Sequence, residues 1–274
     1  MALLQVNFVS QTLMRTVPIQ VVLPVDKFSW DGARPEGPFP TLYLLHGIFG
    51  NYTDWVSGTR VQRWAEEHNL AVVMPSGDNR FYVDQPDTQD LYGEFIGSEL
   101  VDITRRMFPL SGERANTFIG GLSMGGYGAL RNGLKYHHTF GAIAALSSAD
   151  IIQQIATFTD DNPAFFARRG YAQALFGPLE KLPGSDKDLR WLAQRITNPA
   201  DRPRIYLACG SQDSLLPMNK NLRDSLQTLG YDLTWCEAPG AHEWDFWDSQ
   251  IRRVIDWLSL GQADAGVNSG NVGV

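Results

Sequence analysis

The sequence is poor in cysteine, histidine and positive charge, and each shortage narrows the classes of protein to which it can belong. Its two cysteines, Cys209 and Cys236, lie in apolar strand-like runs, so we expect buried free thiols and no disulfide framework. Lys and Arg total 23 against 30 Asp and Glu, a net charge of -7, which disfavours a nucleic-acid or anionic-membrane partner. The N-terminal stretch MALLQVNFVSQTLMRTV has neither the basic start of a secretory signal nor the length of a membrane span, which predicts a cytoplasmic protein.

Short apolar runs alternate with segments of helical periodicity over most of the chain. Two early runs, at 3–10 and 16–24, predict a strand meander at a sheet edge. Later runs that are apolar almost throughout predict strands buried on both faces, at 41–46, 70–75, 117–122, 140–147, 204–210 and 232–240. The alternation predicts a doubly wound, mostly parallel α/β sheet within one domain, residues 1–260.

One stretch, residues 151–202, has no strand pattern and predicts a helical cap inserted between two core strands. Its two helical segments each follow a capping signal, Asn162 with Pro163 next, and Ser185 with Asp188 three positions on. The small polar residues at 261–274 predict a flexible C-terminal tail.

The stretch FIGGLSMGGYGAL, residues 118–130, surrounds Ser123 with five glycines. An apolar strand precedes it and a helical segment follows, which is the context of a nucleophile elbow; the alternative is a glycine-rich turn with an incidental serine. Gly121 and Gly125 hold the two positions where an elbow needs small residues. The sequence therefore predicts that Ser123 is a nucleophile.

A nucleophilic serine needs a histidine as its base, and the chain has only five. His68, His137 and His138 lie near helix ends, where structural or solvated histidines are common. His46 comes too early for the order serine, acid, histidine that an elbow sheet uses. His242, in the loop after the last strand, is the predicted base.

The predicted acid is Asp213, in the loop after the strand at 204–210. Its competitor is Asp245, which lies so close to the histidine in sequence that it would more naturally cap the C-terminal helix. An oxyanion needs two N–H donors. We expect them at Met124, directly after the serine, and at Ile48 in the loop after the first central strand, with Phe49 as the less favoured choice.

Five blocks in order, YLLHGIFGNYTDW, VVMPSGDNRFYVD, FIGGLSMGGYGAL, CGSQDSLL and GAHEWDFWDSQI, resemble the esterase D-like family of α/β-hydrolases. The resemblance spans about residues 40–258 and is similar in detail to the tributyrin and feruloyl esterase branch. It implies an α/β-hydrolase fold, a serine carboxylesterase that acts on acetyl, butyryl or feruloyl esters, and a triad of Ser123, Asp213 and His242. It is also compatible with a homo-oligomer, a dimer or a tetramer.

Substrate preference is expected to come from the cap and from nearby loops. Aromatic residues that could form a wall for an acyl or cinnamoyl group, or merely pack the cap, are Phe49, Phe81, Tyr82, Phe165, Phe166 and Trp191. No metal or other cofactor is expected, because the chain lacks the second histidine of a helical zinc motif and any phosphate-binding P-loop string. The alternatives are an S-formylglutathione hydrolase or other thioesterase, and a binding protein that has the fold without catalysis.

Overall fold

The computed structural model describes residues 1–32, 34–261, 263 and 266–268, and an eight-stranded sheet runs through its centre. In chain order the strands are β1 (Ala2–Ser10), β2 (Arg15–Leu23), β3 (Thr41–Leu45), β4 (Ala71–Pro75), β5 (Asp84–Gln85), β6 (Asp90–Leu91), β7 (Thr117–Leu122), β8 (Ala142–Leu146), β9 (Arg204–Gly210) and β10 (Leu233–Ala238). The short strands β5 and β6 form a separate antiparallel ribbon.

The order across the main sheet is β1-β2-β4-β3-β7-β8-β9-β10. β1 pairs antiparallel with β2, β2 pairs antiparallel with β4, and the pairs from β4 to β10 are all parallel. The edge meander and the doubly wound, mostly parallel sheet that the sequence predicts are confirmed.

Helices cover both faces of this sheet. They are α1 (Asp54–Gly58), α2 (Val61–Glu67), α3 (Tyr92–Glu94), α4 (Leu100–Met107), α5 (Met124–Lys135), α6 (Arg169–Phe176), α7 (Leu189–Arg195), α8 (Leu216–Thr228) and α9 (Trp244–Trp257). A π-helical segment, Phe95–Glu99, joins α3 to α4. Single 3-10 turns occur at Pro86–Thr88, Arg114–Asn116, Ile151–Gln153, Ile155–Thr157, Phe165–Ala167, Leu179–Lys181 and Pro199–Asp201.

The central strands are apolar throughout because both of their faces are buried. Along β3, Tyr43 and Leu45 belong to the core beneath α4, α5 and α8, whereas Leu42 and Leu44 belong to the core beneath α2 and α9. Successive side chains of a strand point to opposite faces, so a strand between two helical layers needs an apolar residue at every position.

Between β8 and β9 the chain, all of which is described there, contains only helices, turns and loops. The sequence-based start of each cap helix is wrong. Helix α7 begins three residues later than expected, with Asp188 as the N-cap that accepts from the Arg190 and Trp191 amides. The Asn162 side chain accepts from the Ala164 amide in a local turn, and helix α6 begins only at Arg169.

A buried ion cluster connects this segment to the helix that follows the elbow. Arg131 of α5 is fully buried, and its guanidinium contacts the carboxylates of Asp84, at 2.9 Å, and Asp186. Lys135, one turn later, lies 2.7 Å from Asp186. Burial raises the pKa of Asp186, but Arg131 and Lys135 outweigh it and bring that pKa down to about 2.

The predicted tail is described only at residues 261, 263 and 266–268. The Ala263 amide donates to the Glu67 carbonyl at 3.0 Å, and the Val267 amide donates to the Phe28 carbonyl at 2.7 Å. The other residues of the predicted tail lie outside the described part of the chain.

Candidate active site

Ser123 lies in a tight turn between β7 and α5, at the carboxyl edge of the sheet. Its φ of 53° and ψ of -116° are a strained conformation for a residue with a side chain. A Cβ on Gly121 would come within 2.3 Å of the Gly125 carbonyl oxygen, and a Cβ on Gly125 within 2.5 Å of the Leu45 and His46 carbonyl oxygens. The turn therefore requires glycine at both positions.

The structure brings Ser123, His242 and Asp213 into one hydrogen-bonded line. His242 Nε2 lies 3.0 Å from Ser123 Oγ, and His242 Nδ1 lies 2.9 Å from Asp213 Oδ2. Asp213 follows β9 and His242 follows β10, so adjacent parallel strands deliver both residues to the same edge as the elbow. With Nδ1–H donated to the carboxylate, Nε2 is free to accept the serine proton.

Asp213, the acid of this hydrogen-bonded line, is buried and held as an anion. The Asp213 side chain has no exposed surface, whereas a third of the His242 side chain is exposed. Burial raises the pKa of Asp213, but hydrogen bonds from His242 and the Leu215 amide outweigh it and hold that pKa below its usual value.

The competing carboxylate, Asp245, does not take part in the hydrogen-bonded line of Ser123, His242 and Asp213. It lies exposed in the first turn of α9, a helix whose N-cap is Glu243. A negative charge in the first turn of a helix interacts favourably with the helix dipole, which explains this position without any catalytic role.

The loop after β3 faces Ser123 and is anchored by hydrogen bonds of the buried His46 ring. His46 is buried, its Nδ1 lies 2.6 Å from the Gly47 carbonyl oxygen, and its Nε2 accepts from the Gly77 amide at 2.8 Å. Burial lowers the pKa of His46, which suits these contacts of a neutral ring. His46 is thus a structural anchor of the loop.

The two expected oxyanion donors lie beside the serine. Ile48 and Met124 both line the pocket that contains Ser123. The Phe49 amide is engaged elsewhere, because it donates to the Asn79 side-chain oxygen at 2.9 Å. The local geometry therefore favours Ile48 over Phe49 as the second donor.

A pocket of about 680 Å³ opens above Ser123 and His242, with walls that are mostly apolar. Of the aromatic residues singled out in the sequence, Phe49, Phe81 and Phe166 line it. Phe49 and Phe166 are also exposed at 70% and 38%, and their rings contact edge to face with centroids 6.1 Å apart. They form an apolar rim between the loop after β3 and the cap.

The structure does not bring the other three aromatic residues into this pocket. The fully buried Tyr82 donates its hydroxyl to the His46 carbonyl, so it supports the loop rather than a ligand. Trp191 packs against the core with the Arg195 guanidinium over its ring. Phe165 stands behind the rim, between Phe49 and Tyr171.

Sequence reasoning missed several residues of the pocket. Trp247 and Trp244 of α9 line it, together with Phe158 and Gln154 of the cap and Asp54 at the start of α1. Trp247 lies on the apolar face of a helix, so its periodicity indicated packing only; its nearness to His242 in sequence was the available signal. Asp54 carried no signal, because a lone acidic residue after a loop is ordinary.

The described residues include no group of three or more His, Cys, Asp or Glu arranged to hold a metal ion. No helix in the described part of the chain is long and apolar enough to cross a membrane.

Comparison with known proteins extends these observations. A family model described as "Putative esterase" matches residues 10–258. An acetyl esterase of Caldicellulosiruptor saccharolyticus is 44% identical over 264 residues, covering 94% of this chain and 98% of that protein.

Two solved structures from Staphylococcus aureus are each 29% identical to this chain. One is the fluorophosphonate-binding serine hydrolase F with bound substrate, with a TM-score of 0.81 and coverage of 95% of this chain and 98% of that one. The other is an S-formylglutathione hydrolase without ligand, with a TM-score of 0.79 and coverage of 95% and 99%. With an eight-stranded sheet, a serine elbow and a family match over most of its length, this chain belongs to the esterase family of α/β-hydrolases and is a serine hydrolase of small-molecule esters.

Proposed function

We propose that the protein hydrolyses short-chain acyl esters of neutral alcohols and phenols, acetyl esters first, through an acyl-enzyme formed on Ser123. The observation that carries the proposal is the line of Ser123, His242 and Asp213 at the base of an apolar pocket. Ser123 Oγ attacks the ester carbonyl carbon while His242 Nε2 takes its proton, and Asp213 stabilises the imidazolium that forms.

The charge that develops on the carbonyl oxygen meets the N–H groups of Ile48 and Met124. Collapse of the tetrahedral intermediate breaks the bond to the alcohol, which leaves with the proton from His242. A water molecule then attacks the acyl carbon, giving its proton to His242, and Ser123 departs with that proton as the acid is released.

The charge of the pocket supports a neutral substrate. The residues known to line it include no Lys or Arg, and Asp54 is the carboxylate among them. A glutathione thioester carries carboxylates. A site that has no nearby cation binds such a substrate poorly, and a carboxylate in the site repels it. This disfavours the S-formylglutathione hydrolase alternative, which the 29% identity to such an enzyme otherwise supports.

The size of the pocket supports an acyl ester with an alcohol part of moderate size. About 680 Å³ is well above the volume of an acetyl group, so most of the space is left for the rest of the ester. The exposed rim of Phe49 and Phe166 offers apolar contact to an aryl group. A feruloyl ester is therefore a second substrate worth measuring.

Substrate comparison tests the choice of ester. We expect kcat/KM for 4-nitrophenyl acetate and butyrate to exceed that for methyl ferulate and, by about tenfold or more, that for S-formylglutathione. A higher kcat/KM for the glutathione thioester would show that the substrate assignment is wrong.

Covalent labelling tests the nucleophile separately. Incubation with a fluorophosphonate and peptide mass mapping should find the adduct on Ser123, and Ser123→Ala should abolish both the adduct and hydrolysis. An adduct on another residue would refute the role of Ser123. The cytoplasmic location and the oligomeric state stay predictions.

A further inference from the structure

The turn that carries the expected oxyanion donor Ile48 has a phenylalanine at a position that favours glycine. The Gly50 amide donates to the Gly47 carbonyl at 3.2 Å, so Ile48 and Phe49 are the two central residues of a β-turn. Phe49 has a φ of 71°, the sign that a type II turn requires at its second central residue and that glycine adopts without strain. The turn is therefore strained at Phe49 and needs contacts that hold it.

A type I turn would relieve this strain. Types I and II differ mainly in the orientation of the peptide between the two central residues, here the Ile48–Phe49 peptide. If this peptide rotated, Phe49 would take a negative φ and its N–H would point in the opposite direction. The Ile48 carbonyl would reverse with it. The orientation of this peptide therefore decides the shape of the turn that carries the Ile48 N–H.

The Asn79 side chain holds the peptide in the observed orientation. Its Oδ1 accepts from the Phe49 amide at 2.9 Å, a bond that the rotated peptide could not make. Asn79 lies in the loop after β4, and the same loop binds His46 Nε2 through the Gly77 amide at 2.8 Å. His46 therefore anchors the start of the loop after β3, and Asn79 anchors its turn.

The Ile48 amide is available as a donor. Among the residues that the structure describes, no carbonyl or side chain accepts a hydrogen bond from it. Ile48 also lines the pocket that contains Ser123. An oxyanion is stabilised by N–H groups that are already oriented before the reaction. Because Phe49 directly follows Ile48, its bond to Asn79 fixes the backbone on the carboxyl side of this donor.

The cap holds Asn79 in turn. The hydroxyl of Tyr171, in α6, donates to the Asn79 carbonyl at 2.6 Å. Burial raises the pKa of Tyr171 to about 12, so this hydroxyl keeps its proton at neutral pH. The Tyr171 ring contacts the Phe165 ring, which contacts the Phe49 ring. Asn79 therefore connects the turn of Ile48 and Phe49 to the cap.

We propose that Asn79 is a positioning residue of the esterase reaction: its side-chain oxygen holds the strained peptide before Phe49, so that the Ile48 N–H faces the oxyanion, and Tyr171 holds Asn79 in place. The inference rests on the proposed nucleophile, Ser123, and on Ile48 as an oxyanion donor. It gives a function to an asparagine that no sequence pattern singles out.

Asn79→Ala removes the acceptor of the Phe49 amide. With 4-nitrophenyl acetate, kcat should fall about fivefold, the usual contribution of one hydrogen bond, while KM changes by less than about twofold. Asn198→Ala is the matched control, because that side chain also accepts from a backbone amide, of Ala200 at 3.2 Å, away from the pocket. Its kcat should equal that of the unmodified enzyme.

Asn79→Asp tests the oxygen itself. An aspartate keeps an acceptor oxygen for the Phe49 amide, so this variant should retain kcat within about threefold and exceed Asn79→Ala. A loss equal to that of Asn79→Ala would contradict the role of the oxygen. Asn79→Leu, with a side chain of similar shape and no acceptor, replaces Asn79→Ala in these comparisons should the alanine variant not fold.

Inhibitor binding distinguishes the oxyanion hole from general damage to the site. Phenyl trifluoromethyl ketone adds to a nucleophilic serine and forms an oxyanion, whereas acetophenone binds largely as the unreacted ketone. Asn79→Ala should raise the inhibition constant of the trifluoromethyl ketone about fivefold and leave that of acetophenone within about twofold. Equal changes for the two ketones would contradict an effect on the oxyanion hole.

Phe49→Gly tests the role of strain. Glycine adopts the positive φ without cost, so the turn no longer depends on Asn79. Because the substitution also removes a ring from the rim of the pocket, the double variant is compared with Phe49→Gly alone. In that background Asn79→Ala should lower kcat by less than about twofold. A fivefold loss in both backgrounds would refute the role of strain.

Tyr171→Phe removes the hydroxyl that holds Asn79 and keeps the ring against Phe165. We expect kcat to fall at least about twofold. Tyr231→Phe is the matched control, since its buried hydroxyl donates to the Ala193 carbonyl at 2.9 Å, away from the pocket. Equal kcat values for the two variants would overturn the role of Tyr171.

Thermal melting of each variant reports its effect on the fold independently of the rate. An unchanged kcat and an unchanged inhibition constant of the trifluoromethyl ketone in folded Asn79→Ala would overturn the proposal. Ser123→Ala, measured alongside, separates the two levels. Hydrolysis that survives it refutes the proposed function itself, whereas its loss together with unaltered Asn79 variants refutes only the role of Asn79.

Discussion

Replacement of Asp213 by asparagine should reduce kcat by about three orders of magnitude while the fold persists. The 2.9 Å bond between His242 Nδ1 and Asp213 Oδ2 places the imidazolium and carboxylate charges about 4 Å apart. At an effective dielectric constant of about 20, Coulomb's law gives an attraction of about 4 kcal/mol. Because about 1.4 kcal/mol is a factor of ten in rate, loss of this attraction alone lowers kcat roughly 1,000-fold.

The Asp213→Asn substitution also changes which nitrogen of the His242 ring carries the proton. The asparagine amide N–H₂ donates to His242 Nδ1, so the ring proton moves to Nε2, which can then no longer accept the Ser123 proton. The loss in kcat therefore reaches about 10⁴-fold if the amide adopts that orientation. Side-chain volume is nearly unchanged, so the thermal midpoint should shift far less than the rate.

The assay is steady-state hydrolysis of 4-nitrophenyl acetate at saturating substrate and neutral pH, with active sites counted by fluorophosphonate labelling. Asp245→Asn is the matched control, since it removes the same charge from the exposed first turn of α9 and should leave kcat within about twofold. If Asp213→Asn retained more than about a tenth of the activity, or if Asp245→Asn showed the larger loss, the assignment of the acid would be wrong.

Three further predictions concern the elbow, the ion cluster and the pocket charge. Gly125→Ala should abolish activity and lower the thermal midpoint, because its Cβ would lie 2.5 Å from two carbonyl oxygens. Gly112→Ala is the control, since a Cβ there meets open space and should leave activity and the thermal midpoint unchanged. Equal thermal midpoints of the two variants would contradict this prediction. The Asp186 carboxylate, with a pKa brought down to about 2, stabilises the fold at neutral pH by about 2 kcal/mol, which is lost as pH falls from about 4 to about 2. Asp186→Asn should therefore weaken the acid dependence of the unfolding free energy, and an unchanged slope in urea titrations between these pH values would refute the linkage. Asp54→Asn removes a negative charge from the pocket, so it should raise kcat/KM for the anionic ester 4-acetoxybenzoate about fivefold relative to kcat/KM for phenyl acetate, with a smaller gain at high salt. If the ratio of these two kcat/KM values did not change, Asp54 would not act on the substrate.

The sheet was predictable because its information is local. A strand between two helical layers is apolar at every position, and the runs at 41–46 and 117–122 show this without any knowledge of their neighbours. The elbow was predictable because Gly121, Ser123 and Gly125 lie within five residues of one another and form a recognisable pattern. The contacts that require glycine at position 125 are not local, since they are made with the Leu45 and His46 carbonyl oxygens at the end of β3.

The starts of the cap helices were less predictable. Ser185 and Asp188 are both good capping residues, and only the packing of α7 against the core selects the second. The aromatic residues of the cap and loops posed the same difficulty. Phe166 and Trp191 look alike in the sequence, yet one reaches the pocket and the other is covered by Arg195.

The sequence by itself therefore determined the class of fold, the elbow and the three residues that meet at the sheet edge, because chain order along parallel strands implies where each strand ends. Only the tertiary structure decided which side chains surround those residues. Trp247 and Asp54 come from two helices, α9 and α1, that are far apart in the chain, and both line the pocket only because the sheet brings the ends of its strands together.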